Sequence, residues 1–134
     1  MKRRNVLIVE PERDEGELFA RALEARRNYK CYVTGKDKEA TTLLKDVPID
    51  LMLLDVTMAT NQDCSLLKRV KRDHPQLSII LVATTYQREL VQRARVHEVQ
   101  GYITKPIRID EFRHHIEVFF QELDSREGAL VDDG

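Results

Sequence analysis

Short, fully apolar runs set between longer amphipathic stretches constrain this chain most. Val6-Leu7-Ile8-Val9, Leu51-Met52-Leu53-Leu54 and Ile79-Ile80-Leu81-Val82-Ala83 are strand-sized and show no alternation of polarity. A half-exposed strand alternates, so runs like these belong in a parallel sheet covered on both faces. Cys31-Tyr32-Val33 and Gly101-Tyr102-Ile103 are weaker runs of the same kind. Between them, apolar residues recur at helical spacing. Leu18, Phe19, Ala22 and Leu23 predict a helix from about Asp14 to Arg27. Ala40, Leu43 and Leu44 mark a second, and Leu66, Leu67 and Val70 a third, closed by Pro75. Leu90, Val91, Ala94 and Val96 mark a fourth, and Ile109, Phe112, Ile116, Phe119, Phe120 and Leu123 a long fifth. Strand then helix, five times over, predicts an α/β single domain: a (βα)5 doubly wound parallel sheet. The expected domain covers residues 4–124. Residues 125–134 are polar and small and read as a C-terminal tail or the start of a linker, prone to fray.

The charge balance narrows the partners. Lys plus Arg is 22 and Asp plus Glu is 23, a net charge of -1. Such a chain lacks the basic field of a nucleic-acid binder, so no direct nucleic-acid contact is expected. No apolar run approaches the roughly 20 residues that span a bilayer. The first run ends at Glu10-Pro11-Glu12, too early for a signal peptide. Cys31 and Cys64 form no CxxC and no zinc spacing, which fits reduced thiols and a cytoplasmic location.

In open parallel sheets, ligands bind beyond the carboxyl ends of the strands. The polar residues there are Glu10-Pro11-Glu12, Asp55-Val56-Thr57, Ala83-Thr84-Thr85 and Lys105-Pro106. Asp55 reads as a nucleophile toward phosphorus, a ligand for a hard cation, or a turn-starting Asp. Phosphoryl transfer to a carboxylate needs a divalent cation on the phosphoryl oxygens and a positive side chain to pair with the product. Glu10 and Glu12 are candidate ligands for that cation. They are equally first-turn acids at a helix N-terminus, where Pro11 suits the start. Lys105 is the candidate phosphate partner, and Thr84 and Thr85 carry hydroxyl donors.

Taken together, these segments resemble the receiver domains of two-component response regulators, the flavodoxin-like fold of CheY-like proteins. The resemblance runs over residues 4 to 124. Asp50-Leu51-Met52-Leu53-Leu54-Asp55-Val56-Thr57-Met58 resembles the phosphoacceptor strand and loop. Tyr102-Ile103-Thr104-Lys105-Pro106 resembles the fifth strand with its Lys-Pro pair, and Val6-Leu7-Ile8-Val9-Glu10 the first strand with an acid. The resemblance implies phosphorylation at Asp55 by a histidine kinase or phosphotransfer protein, with Lys105 pairing with the phosphoryl group. It implies Mg2+ held by Glu10, Glu12, Asp55 and the backbone carbonyl of Thr57. It implies a cis bond before Pro106 and a switch role for Tyr102. Pro11 stands where the family has its second acid. Ala83 stands where it has a switch Thr or Ser, so Thr84 would serve only after a one-residue shift. Ala59 and Asp63 stand where it has proline and glycine. These departures raise an alternative: a degenerate pseudo-receiver that binds partners independently of phosphorylation.

Turnover enzymes fit less well. The loop after the first strand is acidic and would repel a flavin phosphate, and Thr57 stands where a dehalogenase-type phosphatase has its second Asp. A phosphoacceptor signalling domain, not an enzyme, is the expectation. Its downstream protein partner, or a second copy in a homodimer, would dock on the fourth helix, fifth strand and fifth helix. That face is read as basic from Arg88, Arg93, Arg95, Arg108 and Arg113 around Tyr102.

Overall fold

The computed structural model describes residues 2–132, with side chains through Glu127. Strand and helix alternate as β1 (Arg4–Val9), α1 (Arg13–Glu24), β2 (Tyr29–Thr34), α2 (Asp37–Asp46), β3 (Leu51–Asp55) and α3 (Val56–Asp73). They continue as β4 (Ser78–Thr84), a 3-10 turn (Thr85–Gln87), α4 (Arg88–Arg95), β5 (Gly101–Lys105) and α5 (Ile109–Asp132). The strands form one parallel sheet in the order β2-β1-β3-β4-β5. The order reverses between β1 and β3, the position where such sheets open a crevice. Among the described residues, no helix is long and apolar enough to cross a membrane.

The unbroken apolar runs have a direct cause, because β1, β3 and β4 are buried on both sides. Val6, Ile8, Leu51, Leu53, Ile80, Val82 and Ile103 pack against Phe19 and Leu23 of α1 and Phe112, Ile116 and Phe120 of α5. Leu7, Val9, Met52, Leu54, Ile79, Leu81 and Ala83 pack on the opposite side, against α2, α3 and α4. The Phe19 and Phe112 rings stack with centroids 4.5 Å apart, which locks α1 to α5.

The structure departs from the sequence expectation at several element ends. The first helix stops at Glu24, and Leu18 is exposed on it. The fourth stops at Arg95, so Val96 is an exposed C-cap rather than a core position. The third begins at Val56, directly after β3, a full ten residues before the apolar stripe at Leu66. Its course is interrupted where Gln62, Asp63 and Cys64 take φ of 51°, 55° and 60°. Left-handed backbone costs an L-residue roughly 1–2 kcal/mol, and a helical stripe cannot run through it. The apolar spacing therefore marks only the part beyond the break. Asp63, on the position expected to favour glycine, is tied to Lys68 at 3.0 Å. Finally, α5 runs on to Asp132, so residues 125–132 continue the helix instead of fraying. The rest of the expected tail, residues 133–134, lies outside the described residues.

Candidate functional site

Strand alternation brings the edge residues to one side of the sheet. Asp55 follows Leu53 by two positions, Glu10 follows Ile8, Lys105 follows Ile103 and Thr84 follows Val82. The leading residue of each pair lies on the α1–α5 side, and side chains alternate with period two. Asp55 stands opposite Val82 and Thr84 opposite Lys105 in the ladder. By alternation Thr84 falls on the Asp55 side of the backbone while Ala83 is packed into the opposite core, but the hydrogen-bonding partner of Thr84 is Gln87 of the 3-10 turn.

Asp55 is buried and ends β3. Its Oδ2 accepts the backbone N–H of Thr57 at 3.0 Å, that of Met58 at 3.2 Å, and the Thr57 hydroxyl. It is therefore the N-cap of α3, and the positive end of that helix favours its charge. Thr57 thus serves Asp55 through its N–H and hydroxyl, and its carbonyl lies 3.5 Å from the Thr60 hydroxyl.

Glu10 is only 3% exposed. Its Oε1 accepts from Lys105 Nζ at 3.1 Å, and its Oε2 from the Glu12 backbone N–H at 3.2 Å. Burial holds its carboxyl above the usual range; the Glu12 bond and Lys105 oppose the shift, and the nearby Asp55 charge adds to it. Lys105 also donates to Glu15 Oε2 at 2.8 Å. Burial lowers its ammonium, but the bonds to Glu15 and Glu10 outweigh that, so it is held above its ordinary value. The Lys105–Pro106 bond is cis, as the resemblance implied.

Glu15 is the residue that sequence reasoning missed. It stands among Glu12, Asp14 and Glu17, and no spacing separates it from them. The one signal is its neighbour, Gly16. A Cβ there would lie 2.7 Å from Val33 Cγ1 and 3.6 Å from Glu10 Cβ. The glycine lets α1 come close enough for Glu15 to meet Lys105.

The expected three-carboxylate cation site does not assemble. Glu12 is exposed and joins only through its backbone N–H. Among the described residues, no group of three or more metal-ligating His, Cys, Asp or Glu side chains comes together. Glu10 and Asp55 do lie close enough for one charge to raise the other. Two hard carboxylates fit Mg2+, which keeps several waters and takes one or two carboxylates from a protein.

Tyr102 is half exposed on β5, with the Arg95 guanidinium 5.8 Å from its ring centroid. With Arg88, Val91 and Thr104 it lines a groove of about 460 Å³ between α4 and β5. Thr84 borders this groove and closes a reciprocal cap with Gln87. The basic face is narrower than expected. Arg113 donates to the Ala22 carbonyl on α1 at 2.8 Å, and Arg108 pairs with Asp110 at 3.3 Å. Arg93 lies near Asp63, whose carboxyl is lowered by Lys68 foremost and by Arg93 among lesser causes. Arg88 and Arg95 remain on the groove.

Comparison with known proteins agrees with this architecture. The response regulator receiver domain family matches residues 6–117. The probable C4-dicarboxylate response regulator DctR of Bacillus subtilis (strain 168) is 24% identical over 91 residues, 68% of this chain and 40% of that protein. The transcriptional regulatory protein CitT of the same organism is 25% identical over 112 residues, 81% of this chain and 49% of that protein. The chain thus spans less than half the length of these curated relatives. A CheY-like response regulator receiver domain from Methanospirillum hungatei JF-1 shares the fold with a TM-score of 0.77 at 20% identity, over 96% of this chain and 99% of that one. The receiver domain of NtrX from Brucella abortus gives 0.73 at 23% identity, over 84% and 94%. Since the family match covers most of the chain, and the parallel sheet has the order of that fold, the chain belongs to the receiver domains of response regulators, the signalling domains of two-component systems.

Proposed function

We propose that Asp55 accepts a phosphoryl group from a histidine kinase or a phosphotransfer protein in the cytoplasm, and that this alters binding of a downstream protein. One observation carries the reading: the buried Asp55 carboxylate and the Lys105 ammonium share one side of the sheet at its carboxyl edge, with β4 between them. A module that bound partners without phosphorylation would need neither group there.

The three donors to Asp55 all converge on Oδ2, which leaves Oδ1 as the attacking oxygen. The Oδ1–P bond forms as the bond from phosphorus to the donor's imidazole nitrogen breaks, and that nitrogen keeps the electron pair. Lys105 then pairs with the phosphoryl oxygens as a point charge. Receiver domains generally bind Mg2+; here Glu10 and Asp55 would hold it, and it would neutralise charge on the phosphoryl oxygens. The acceptor is the protein's own side chain, so the chemistry is covalent acceptance rather than turnover. Arg88 and Arg95 beside Tyr102 support an acidic segment as the downstream partner's contact.

Intact mass after treatment with acetyl phosphate and magnesium tests this reading. A single phosphoryl adduct is expected, lost in Asp55→Ala and lost without magnesium. A folded protein that takes no adduct would turn the reading to a phosphorylation-independent interaction module.

A further inference from the structure

Lys105 does not rest on Asp55. The hydrogen bonds it donates go to Glu10 on one side and to Glu15 on the other, and the shorter, 2.8 Å, is to Glu15. Lys105 is 15% exposed at its side chain and Glu10 3%, so that pair is enclosed. Glu15 is 43% exposed and sits on the first turns of α1, free to swing into solvent. Lys105 has one positive charge and faces two carboxylates, so an anion arriving at Asp55 competes with both for it. Glu10 is buried and fixed through its second oxygen to the Glu12 backbone N–H. Glu15 holds Lys105 by a single bond and can leave at low cost, since part-exposed ion pairs are weak.

We propose that Glu15 is a gate on Lys105: a positioning residue whose salt bridge from α1 to the end of β5 competes with an anion at Asp55 for Lys105. The inference rests on the reading of Asp55 as the acceptor. By this account α1, through Glu15, sets how readily the edge captures a phosphoryl group. The gate also ties that capture to the position of α1, which Gly16 lets approach β1 and β2. A helix shift would then be felt at the acceptor edge, and phosphoryl capture would be felt at α1.

The test compares wild type, Glu15→Gln and, as a control, Asp14→Asn, which removes an exposed neighbouring acid. Two measurements are made on each folded protein. The first is the rate of Lys105 acetylation by an N-hydroxysuccinimide ester, read by peptide mass. The second is the apparent dissociation constant for beryllofluoride with magnesium, a phosphoryl mimic. In Glu15→Gln, Lys105 acetylation should rise and the dissociation constant should fall, each by about three- to fivefold, the scale of a part-exposed ion pair. Asp14→Asn should change neither. Acetylation unchanged in Glu15→Gln, or raised equally in Asp14→Asn, overturns the gate. Saturable beryllofluoride binding that Glu15→Gln leaves unchanged or weakens overturns it too, with the acceptor reading intact. No beryllofluoride binding in any of the three, while Lys105 acetylation still rises in Glu15→Gln, overturns the gate because the acceptor reading itself has failed.

Discussion

Asp55 Oδ2 accepts the Thr57 backbone N–H at 3.0 Å, so the residue that ends β3 also caps α3. A single side chain thus joins the sheet edge to the helix that follows it without a loop. The same carboxylate raises its neighbour Glu10 across the crevice between β1 and β3. Any change at Asp55 is therefore felt by a helix terminus and by a buried acid at once.

Cap and acceptor can be separated by substitution. Asp55→Ala removes the oxygen that three donors share, and loss of an N-cap costs about 0.5–2 kcal/mol. Asp55→Asn keeps a cap acceptor and loses the charge. Urea unfolding should show Asp55→Ala as the less stable of the two, by about 1 kcal/mol. Equal stability would mean that the cap contributes nothing. Thr57→Val, which deletes only the hydroxyl donor, should lower stability by about 0.5–1.5 kcal/mol.

Glu10 makes stability depend on pH in the acid range. Its carboxyl is held above 4.5, chiefly by burial. The folded protein keeps that proton over a range where the unfolded chain has released it. Stability contributed by this group is thus greatest below 4.5 and falls as pH rises through the folded value. Urea midpoints measured across that range should fall less steeply in Glu10→Gln. In Asp55→Asn, which removes a charge that raises Glu10, the inflection should move to lower pH.

Tyr29, which is buried, and Cys31, which is half-buried, should titrate late. Tyr29 is pushed from 10.0 to about 12 by burial, with Glu117 adding to the shift. Of the four tyrosines, one should form phenolate only near that pH, and Tyr29→Phe should abolish that phase. Cys31 is pushed from 9.0 to about 12, again by burial first and then by Glu24. A thiolate is the reactive form, so Cys31 should react slowly with thiol reagents at neutral pH until the protein is unfolded. Fast reaction in the folded state would contradict the burial.

Gly16 should tolerate no larger side chain without loss. An added Cβ meets Val33 Cγ1 at 2.7 Å, and overpacking of this kind costs about 1–3 kcal/mol. Gly16→Ala should lower the unfolding midpoint, and Val33→Ala in the same chain should recover part of the loss. If the double variant recovers nothing, the clash is not with Val33.

Much of the fold was legible in the chain because the three inner strands are covered on both sides. Leu51 to Leu54 could be continuous only in a sheet with helices on both faces, and the element order then followed from the alternation. The edge residues Glu10 and Asp55 were legible for the same reason: each is the first polar side chain after an unbroken apolar run, whereas Lys105, which follows Thr104, was marked by the proline after it. Helix ends were less so. Val96 fits the apolar spacing of α4 but lies past its end, since periodicity registers residue type and not where hydrogen bonding stops. The left-handed break at Gln62 to Cys64 carries no glycine to announce it.

What the sequence determined by itself is the pattern: five apolar strands, their order with five helices, and which polar residues end them. These depend on residue type and local period, which the chain carries directly. Only the tertiary structure decided the pairing. It gave Lys105 to Glu10 and Glu15, left Glu12 in solvent, set the Thr57 N–H and hydroxyl on Asp55 and drew Arg113 across to Ala22. Those outcomes depend on how closely α1 packs on the sheet and where α3 begins, distances set by residues far apart in the chain.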